Sequence, residues 1–430
     1  MTLRPPSVIL GMKTLQRELF NKTVTVPVAI TAQHRVPQVK KLFGRACELP
    51  LTHVKNVQEY DDNRKQILLN PDNFVRSECL EKAKRLNLEQ EFELSHLELK
   101  LNLEHWPLKT CLQMILDADT DTDGVQSFSQ VGHVVVFSLR EQWLPFKAVI
   151  GQLCLEKVAN CRTVVNKCDT IENEYRIPPI EIIAGEDNLQ TVVAENGHKF
   201  EVDLQNAFWN TRLSTEHERV VDRCKPQSTV YDACCGVGPF CVPLARKKTA
   251  RRVFGNDLNP RCRELLELNA RRNKVKLEKV TNLDANEFIR TVLREDLINT
   301  VRNCAELGVQ PTFYAIMNLP ATAYTFIPSF VSLLEDANLT REEIPPEFEF
   351  CVYCYSFVKS ESCKNEELLV LAKELLKEVV EEWLPEFEVS VRFVRTVSPK
   401  KQQLCISFKL PLSMLFGESV PAKKSKLSSD

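Results

Sequence analysis

The sequence predicts an α/β protein whose largest part is a Rossmann-like sheet with a terminal antiparallel pair of strands, preceded by smaller α+β domains. Two observations support this prediction. Apolar runs alternate with helix-compatible segments through the second half of the chain, a pattern that gives parallel strands joined by right-handed crossovers. In addition, Val230-Tyr-Asp-Ala-Cys-Cys-Gly-Val-Gly-Pro-Phe240, followed by Asn256-Asp-Leu-Asn-Pro260, has the order strand, turn, helix, strand of a nucleotide-binding unit.

Composition limits the class of protein. The 430 residues, of which 43% are hydrophobic, suffice for two or three domains with buried cores. No apolar run reaches 18 residues, so no membrane association is expected. The net charge of −2 argues against binding polyanions with the whole surface. The 16 cysteines of a chain without a secretory h-region indicate reduced thiols, and the pair Cys351 and Cys354 lacks the partners of a zinc site, so no metal is predicted.

Four parts of the chain can be distinguished. Residues 1–118 mix strand-like runs with a charged segment, 77–90, that suits an exposed helix. Residues 119–195 form a linking α+β domain, 196–415 the main domain, and 416–430 a tail that is expected to be disordered.

The segment at the first boundary has part of a calcium-loop pattern. Asp119, Asp121, Asp123 and Gly124 occupy loop positions 1, 3, 5 and 6, but Gln130 stands where the bidentate glutamate would be. An acidic linker is therefore the favoured interpretation.

The glycine turn indicates the kind of ligand. Gly236 and Gly238 allow the backbone to approach a ligand closely, and Asp257, 19 residues beyond Gly238, has the spacing of an acid that binds ribose hydroxyls. Pro239 and Phe240 follow where a dinucleotide fingerprint would continue toward a third glycine. The turn therefore favours a nucleoside cofactor without phosphates, and S-adenosylmethionine is such a ligand.

The elements after the turn extend the same sheet. The sequence predicts helices over 261–273 and 365–383, strands over 276–283, 312–317 and 348–358, and an antiparallel pair over 387–394 and 403–410. Such a pair is the usual ending of a class I methyltransferase sheet. Gly236, Asp257, Asp284 and Asn318 each follow a strand, so they should meet at one edge.

Polar residues just ahead of the glycine turn are the next candidates. A helix opened by Ser214 or Thr215 would carry Glu216 and His217 in its first turns, facing the cofactor or facing solvent. Arg176 taken alone reads as a surface arginine. The aromatics Phe208 and Trp209 would either receive an unstacked base or pack as the hydrophobic staple of this helix.

Several of these segments together resemble the archaeal and eukaryotic type of tRNA (guanine-N1)-methyltransferase, in its eukaryotic branch. The matching motifs are Asn210-Thr-Arg-Leu-Ser-Thr-Glu-His-Glu-Arg219, Asp232-x-x-x-Gly-Val-Gly-Pro-Phe240, Asn256-Asp-Leu-Asn-Pro260, Met317-Asn-Leu-Pro320 and Arg395-Thr-Val-Ser-Pro-Lys400. The likeness runs in order over roughly residues 100–411, while the first 100 residues match only loosely.

The resemblance implies transfer of a methyl group from S-adenosylmethionine to N1 of guanosine 37 of tRNA, in support of reading-frame maintenance and wybutosine precursor formation. Carried over by motif, Glu216 would be the general base, Arg176 would hold guanine O6, and Asn318 would orient the base. Residues implied to bind the cofactor are Asp232, Gly236, Gly238, Pro239, Phe240, His217, Asp257, Leu258, Asp284, Ala285 and Asn318. Those implied to bind the tRNA are Phe208, Trp209, Arg212 and Pro320.

Two alternatives remain open at this stage. A related wybutosine-pathway transferase uses the same cofactor and tRNA position but moves the aminocarboxypropyl group, and a non-catalytic tRNA-binding relative would share the fold. The resemblance further suggests a monomer. The basic tail Lys423-Lys-Ser-Lys426 and the acid-free first 17 residues are weak targeting signals, so the expected locations are cytoplasm and nucleus with a mitochondrial matrix pool.

Overall fold

The computed structural model describes residues 3–117, 125, 127–167, 179–247, 250–307 and 310–418. The chain forms two compact units, one of Met1–Thr170 with Pro178–Asn188 and the other of Ile171–Ile177 with Leu189–Asp430. Arg176 and the acidic residues 119–124 lie outside the described residues. Within the described ranges, none of the helices combines the length and the hydropathy needed to cross a membrane.

The first unit contains two four-stranded sheets. Its strands are β1 (Lys22–Ala32), β2 (Val57–Glu59), β3 (Arg64–Leu68), β4 (Phe92–Leu101), β5 (Ser129–Val131), β6 (Val134–Phe137), β7 (Thr163–Lys167) and β8 (Ile180–Gly185). Its α-helices are α1 (Val36–Phe43), α2 (Arg76–Arg85), α3 (Leu108–Ile115) and α4 (Lys147–Lys157). The sheet orders are β2-β3-β1-β4 and β5-β6-β7-β8, and apolar side chains from both sheets form one core. The unit is therefore α+β.

The exposed helix expected over 77–90 is present but shorter. Helix α2 ends at Arg85, and Ala83 is its buried residue. Asn87 has a φ of 53°, in the left-handed region that commonly ends a helix.

The second unit contains a hairpin and a seven-stranded sheet. Its strands are β9 (Gln190–Glu195), β10 (His198–Asp203), β11 (Ser228–Asp232), β12 (Ala250–Asn256), β13 (Lys279–Thr281), β14 (Thr312–Met317), β15 (Glu349–Lys359), β16 (Ser390–Ser398) and β17 (Lys401–Lys409). Its α-helices are α5 (Ser214–Arg223), α6 (Cys241–Arg246), α7 (Pro260–Arg272), α8 (Ala285–Phe288), α9 (Arg294–Leu307), α10 (Asn365–Val380) and α11 (Leu412–Leu415). The turn between β9 and β10 has positive φ at Asn196 (47°) and Gly197 (79°), as a two-residue hairpin requires.

The large sheet has the order β13-β12-β11-β14-β15-β17-β16. Strands β11 to β15 pair in parallel, and β17 pairs antiparallel with both β15 and β16. Side chains such as Phe288, Phe313 and Phe350 fill a core between this sheet and its helices. The expected Rossmann-like sheet with a terminal antiparallel pair is confirmed.

Two expected elements are shorter than their sequence patterns. Strand β13 spans three residues instead of 276–283, because it is the edge strand and pairs only where it meets β12. Helix α10 ends at Val380 instead of 383, where Pro385 follows within a short 3-10 turn.

Candidate active site

The carboxyl ends of four neighbouring parallel strands carry the predicted cofactor residues. Asp232 ends β11, Asp257 follows β12, Asp284 follows β13 and Asn318 follows β14. Since these strands are adjacent and parallel, their ends lie at one edge of the sheet. The topology therefore brings together residues that are far apart in the chain.

The glycine turn after β11 has an open side and a packed side. Gly236 has a φ of 53°, and a Cβ there would have no atom within 4 Å. At Gly238, with a φ of 97°, a Cβ would lie 2.4 Å from Cδ1 of Leu266. A Cβ on Gly255 in β12 would lie 2.6 Å from Cδ2 of the same leucine. At Gly236 the turn therefore exposes backbone without a side chain, and at Gly238 it packs closely against Leu266.

Two carboxyls lie beside this turn, the buried Asp232 and the half-buried Asp257. Asp257 accepts hydrogen bonds from the amides of Gly236 (2.8 Å) and Asn259 (2.9 Å). Burial raises the pKa of Asp257, although both amides oppose that effect. Burial also raises the pKa of Asp232 to about 8, against the opposing hydrogen bond from the Cys234 amide and with a further contribution from the charge of Asp257.

Asn256 holds the neighbouring loops in place. Its side-chain amide donates to the carbonyls of Ala233 (3.1 Å) and Leu283 (3.0 Å). Its oxygen accepts from the Thr281 hydroxyl (2.8 Å) and the Leu283 amide (3.0 Å). This fully buried residue, the last of β12, joins the loops that follow β11 and β13 and gives the predicted cofactor residues a rigid support.

Glu216 lies on α5 with only 6% of its surface exposed. Arg219 binds it in a bidentate manner, with Nε 2.7 Å from Oε2 and Nη2 2.5 Å from Oε1. The hydroxyl of Tyr355 donates to Oε1 at 2.9 Å, and Nε of Arg392 lies 3.4 Å from Oε2. The carboxylate is therefore held in one orientation, as a residue that must meet a substrate proton requires.

The partners of Glu216 respond to its charge. Burial lowers the pKa of Arg219, but the hydrogen bonds and charge of Glu216 outweigh burial, so the pKa lies above its ordinary value. Burial raises the pKa of Tyr355 well above its usual range, and the charges of Cys405 and Glu216 add to that effect. At neutral pH the tyrosine is thus a donor, consistent with its hydrogen bond to Glu216.

His217 is buried next to Glu216. Its Nδ1 lies 2.7 Å from Oε1 of Glu195 in β9, and its ring meets Phe240 edge to face at 4.8 Å. Glu195 therefore fixes the orientation of the imidazole against an aromatic side chain of the glycine turn.

The remaining predicted cofactor residues differ in exposure. Asp284 is exposed and caps α8 by accepting from the Asn286 amide (2.8 Å), while Ala285 is buried. Leu258 is 39% exposed. Pro239 is half-buried. The half-buried side chain of Asn318 makes no hydrogen bond within the described ranges of the chain, so its amide is available to a ligand.

The predicted tRNA residues fall into two groups. Phe208 (49% exposed) and Arg212 are at the surface. Trp209 is buried and packs on Phe200 with ring centroids 5.4 Å apart, and its buried indole N–H has no hydrogen-bond partner among the described residues. Pro320 is half-buried, and its carbonyl accepts from the Phe357 amide (2.8 Å). The packing alternative is therefore favoured for Trp209, because its ring face is covered.

Among the described residues, no group of three or more His, Cys, Asp or Glu side chains is arranged to hold a metal ion. Cys351 and Cys354 are free thiols in β15, and burial raises the pKa of both. They belong to the strand and its core, as the sequence suggested.

Three residues of the site do not follow from the sequence analysis. Arg219 stands three positions after Glu216, a helical spacing that predicts contact. Glu195, at the end of β9, is 22 residues before His217, and Tyr355 is 139 residues from Glu216. Nothing local in the sequence connects these last two residues to the site.

Two family models and several curated proteins match this chain. The model of the TRM5/TYW2 methyltransferase domain matches residues 191–341, and that of the TYW2 N-terminal domain matches residues 108–188. The tRNA (guanine(37)-N(1))-methyltransferase of Drosophila melanogaster is 37% identical over 96% of this chain and 88% of its own. The protein of that name from Homo sapiens is 35% identical over 96% of this chain and 79% of its own.

Solved structures share the fold. Trm5b from Pyrococcus abyssi superimposes with a TM-score of 0.56 at 22% identity, covering 89% of this chain and 99% of its own. The protein in a complex of aTrm5 and tRNALeu gives a TM-score of 0.61 at 19% identity with the same coverage.

Proposed function

This chain belongs to the family of tRNA (guanine(37)-N1)-methyltransferases, and we propose that Glu216 is the general base of its reaction. The enzyme transfers a methyl group from S-adenosylmethionine to N1 of guanosine 37 in tRNA. The observation that carries the activity is identity above one third over 96% of this chain and 79–88% of the length of two curated enzymes with that name.

The chemistry of guanine requires a base at this place. N1 keeps its proton at neutral pH, so a group within hydrogen-bond reach must remove the proton as N1 attacks the methyl group. Glu216 is a buried carboxylate bonded to Tyr355. Tyr355 directly follows Cys354, which pairs with Met317 at the carboxyl end of β14, so Glu216 lies near the strand ends that carry the cofactor residues. The Tyr355 hydroxyl and the Arg219 guanidinium restrict rotation of the Glu216 side chain, which lowers the entropy cost of proton transfer.

The residues at the sheet edge fit S-adenosylmethionine. The open space at Gly236 admits the cofactor close to the backbone, and Asp257, Asp284 and Asn318 offer polar groups at the adjacent strand ends. Leu258 offers exposed apolar surface for an adenine ring. When bound, the cofactor supplies a methyl group on a sulfonium, which needs no further activation. The protein must therefore orient the reactants and exclude water.

Two further residues are proposed on chemical grounds. Removing the N1 proton places negative charge on O6, and the Arg176 guanidinium would offset that charge. Losing such a donor costs about 100- to 1000-fold in rate. Asn318 would orient the base, which its unengaged amide supports.

Replacing Glu216 by Gln tests the general base. We expect Glu216→Gln to lower the single-turnover rate of methylation by at least about 100-fold, with unchanged affinity for tRNA. Glu218→Gln is the matched control, because Glu218 is an exposed glutamate on the same helix. A Glu216→Gln enzyme as fast as wild type would sink the proposal. A transcript with adenosine at position 37 serves as the substrate control.

Mass spectrometry of the product separates the two group transfers. A gain of one methyl group at guanosine 37 agrees with the reaction given above. A gain of the aminocarboxypropyl group would instead assign the chain to the wybutosine-pathway reaction.

The monomeric state and the location in cytoplasm and nucleus, with a mitochondrial matrix pool, are also proposals. They are supported by the family resemblance and by the weak targeting patterns of the two termini. Light scattering of the purified protein tests the first, and imaging of the full chain with a fluorescent tag tests the second. A dimer mass, or exclusion from the nucleus, would contradict them.

A further inference from the structure

A bulge in the edge strand β16 places two arginines on the same face of the sheet. Arg392 pairs with Cys405 and Arg395 with Gln403, with a register shift between Phe393 and Arg395. Side chains alternate along a regular strand, so residues three apart would point to opposite faces. Because Cys405 and Gln403 are two apart on β17, the extra residue turns Arg395 to the face of Arg392.

This is the face next to Glu216. Nε of Arg392 lies 3.4 Å from Oε2 of Glu216. The half-buried Arg395 donates from Nε to Oε1 of Gln403 at 2.9 Å, which orients its guanidinium. Burial lowers the pKa of Arg395, and the positive charge of Arg212 lowers it further. Arg212 precedes α5, the helix that carries Glu216.

Within the described ranges, no carboxylate of the chain lies at ion-pair distance from Arg212 or Arg395. Neighbouring positive charges repel each other, which costs free energy. An anion bound between them would replace this repulsion with attraction. A guanidinium presents donors in a planar fork that matches phosphate.

We propose that Arg212 and Arg395 bind a phosphodiester group of the substrate RNA that flanks the nucleotide entering the Glu216 site. This inference rests on the proposed function, because it assumes that the target base reaches Glu216. A nucleotide that leaves its stack turns about its own backbone, so its flanking phosphates stay at the mouth of the pocket. Arg392 lies on the same face as Arg395 and pairs with Glu216, so the proposed phosphate site adjoins the site of the target guanine.

Binding of an unmodified tRNA transcript with guanosine 37, measured by fluorescence anisotropy at several salt concentrations, tests the site. We expect Arg395→Gln and Arg212→Gln to raise Kd about 10- to 100-fold, as loss of a charge-assisted contact does. The slope of log Kd against log salt should fall by about 0.7–0.9 for each lost phosphate contact. Arg395→Lys should fall between wild type and Arg395→Gln. The matched control is Arg271→Gln, which removes an exposed arginine on α7 and should change neither quantity.

A second experiment locates the phosphate. Single methylphosphonate linkages, which carry no charge, are placed on either side of guanosine 37. At one linkage we expect a loss of affinity in the wild-type protein and no further loss in Arg395→Gln. Equal losses in both proteins at each linkage, or a wild-type Kd and salt slope for both Gln variants, would overturn the proposal.

Calorimetry with S-adenosylmethionine excludes a different anion. Unchanged cofactor affinity in Arg395→Gln supports an RNA phosphate. Weaker cofactor binding with unchanged tRNA affinity would assign the site to the cofactor carboxylate and overturn the proposal. These outcomes differ from failure of the general-base assignment. If Glu216 is not the base, the Glu216→Gln enzyme still methylates tRNA, and that result does not depend on the Kd values of the arginine variants.

Discussion

The amide nitrogen of Gly236 lies 2.8 Å from Oδ2 of Asp257, which ties the glycine turn after β11 to the carboxylate after β12. The other oxygen of Asp257 accepts from the Asn259 amide at the start of α7. Both oxygens are therefore engaged by backbone. Asp257 shapes the space in front of the turn, in addition to any contact with a ribose.

Replacing Asp257 by Asn should weaken this connection. An amide has a single acceptor oxygen, so one of the two backbone N–H groups would face a donor. We expect Asp257→Asn to lower the free energy of unfolding by about 1–3 kcal/mol and to weaken S-adenosylmethionine binding. Urea denaturation and calorimetry measure the two effects. The control is Asp284→Asn, which keeps an equally good helix cap and should leave stability within about 0.5 kcal/mol. Equal destabilisation by both variants would contradict the role assigned to Asp257.

The raised pKa of Asp232 predicts a pH-dependent stability. Its folded-state pKa is about 8, above the unfolded value of 3.8. The folded protein thus binds the proton more tightly, and this contribution is fully present below the unfolded pKa and is lost as the pH rises toward 8. Asp232→Asn mimics the neutral carboxyl, so its stability relative to wild type should increase between pH 5 and pH 8. Chemical denaturation at several pH values measures the difference, and a difference independent of pH would show that Asp232 is ionised throughout.

Tyr355 should act on the rate through Glu216. Removing its hydroxyl takes one hydrogen bond from Oε1, which leaves the carboxylate freer to rotate. We expect Tyr355→Phe to lower kcat about tenfold, with KM for tRNA and for cofactor within about twofold of wild type. Tyr353→Phe is the matched control on the same strand, because it keeps the ring that stacks on Tyr314 and faces the Arg219 guanidinium, and removes a hydroxyl that is not bonded to Glu216. An unchanged kcat in Tyr355→Phe would remove its positioning role.

Phe208 and Trp209 should behave oppositely despite being neighbours. Truncating the buried Trp209 leaves a cavity against Phe200, so Trp209→Ala should lower the free energy of unfolding by about 3–5 kcal/mol. Phe208→Ala, at an exposed site, should change stability by less than about 0.5 kcal/mol and should weaken tRNA binding. Thermal unfolding and anisotropy separate the effects. A Trp209→Ala variant as stable as wild type would contradict the packing role of Trp209 and favour stacking on a base instead.

The features read correctly from the sequence are those with a local cause. Alternating apolar runs and helices predict a parallel sheet. The carboxyl ends of parallel strands lie at one edge regardless of loop conformation, which brings together Asp232, Asp257, Asp284 and Asn318. The two positive φ angles of the hairpin turn follow from Asn196 and Gly197 themselves.

The features that the sequence does not reveal depend on distant contacts. Tyr355 reads as one more apolar strand residue, and only the packing of α5 against the sheet brings its hydroxyl to Glu216. The register shift near Arg395 depends on how β16 pairs with β17. Burial, which sets the pKa of Asp232, is likewise a property of the assembled sheet.

Leu266 limits which residues can replace two glycines of this fold. Its two methyl groups occupy the places where Gly238 and Gly255 would carry a Cβ. A smaller residue at 266 would free room for an alanine at 255, so substitutions at these two positions should be compatible in combination and harmful singly. Gly238 does not share this freedom, because its φ of 97° disfavours any other residue regardless of its neighbour. Variation among related sequences should therefore couple 255 to 266 and leave 238 invariant.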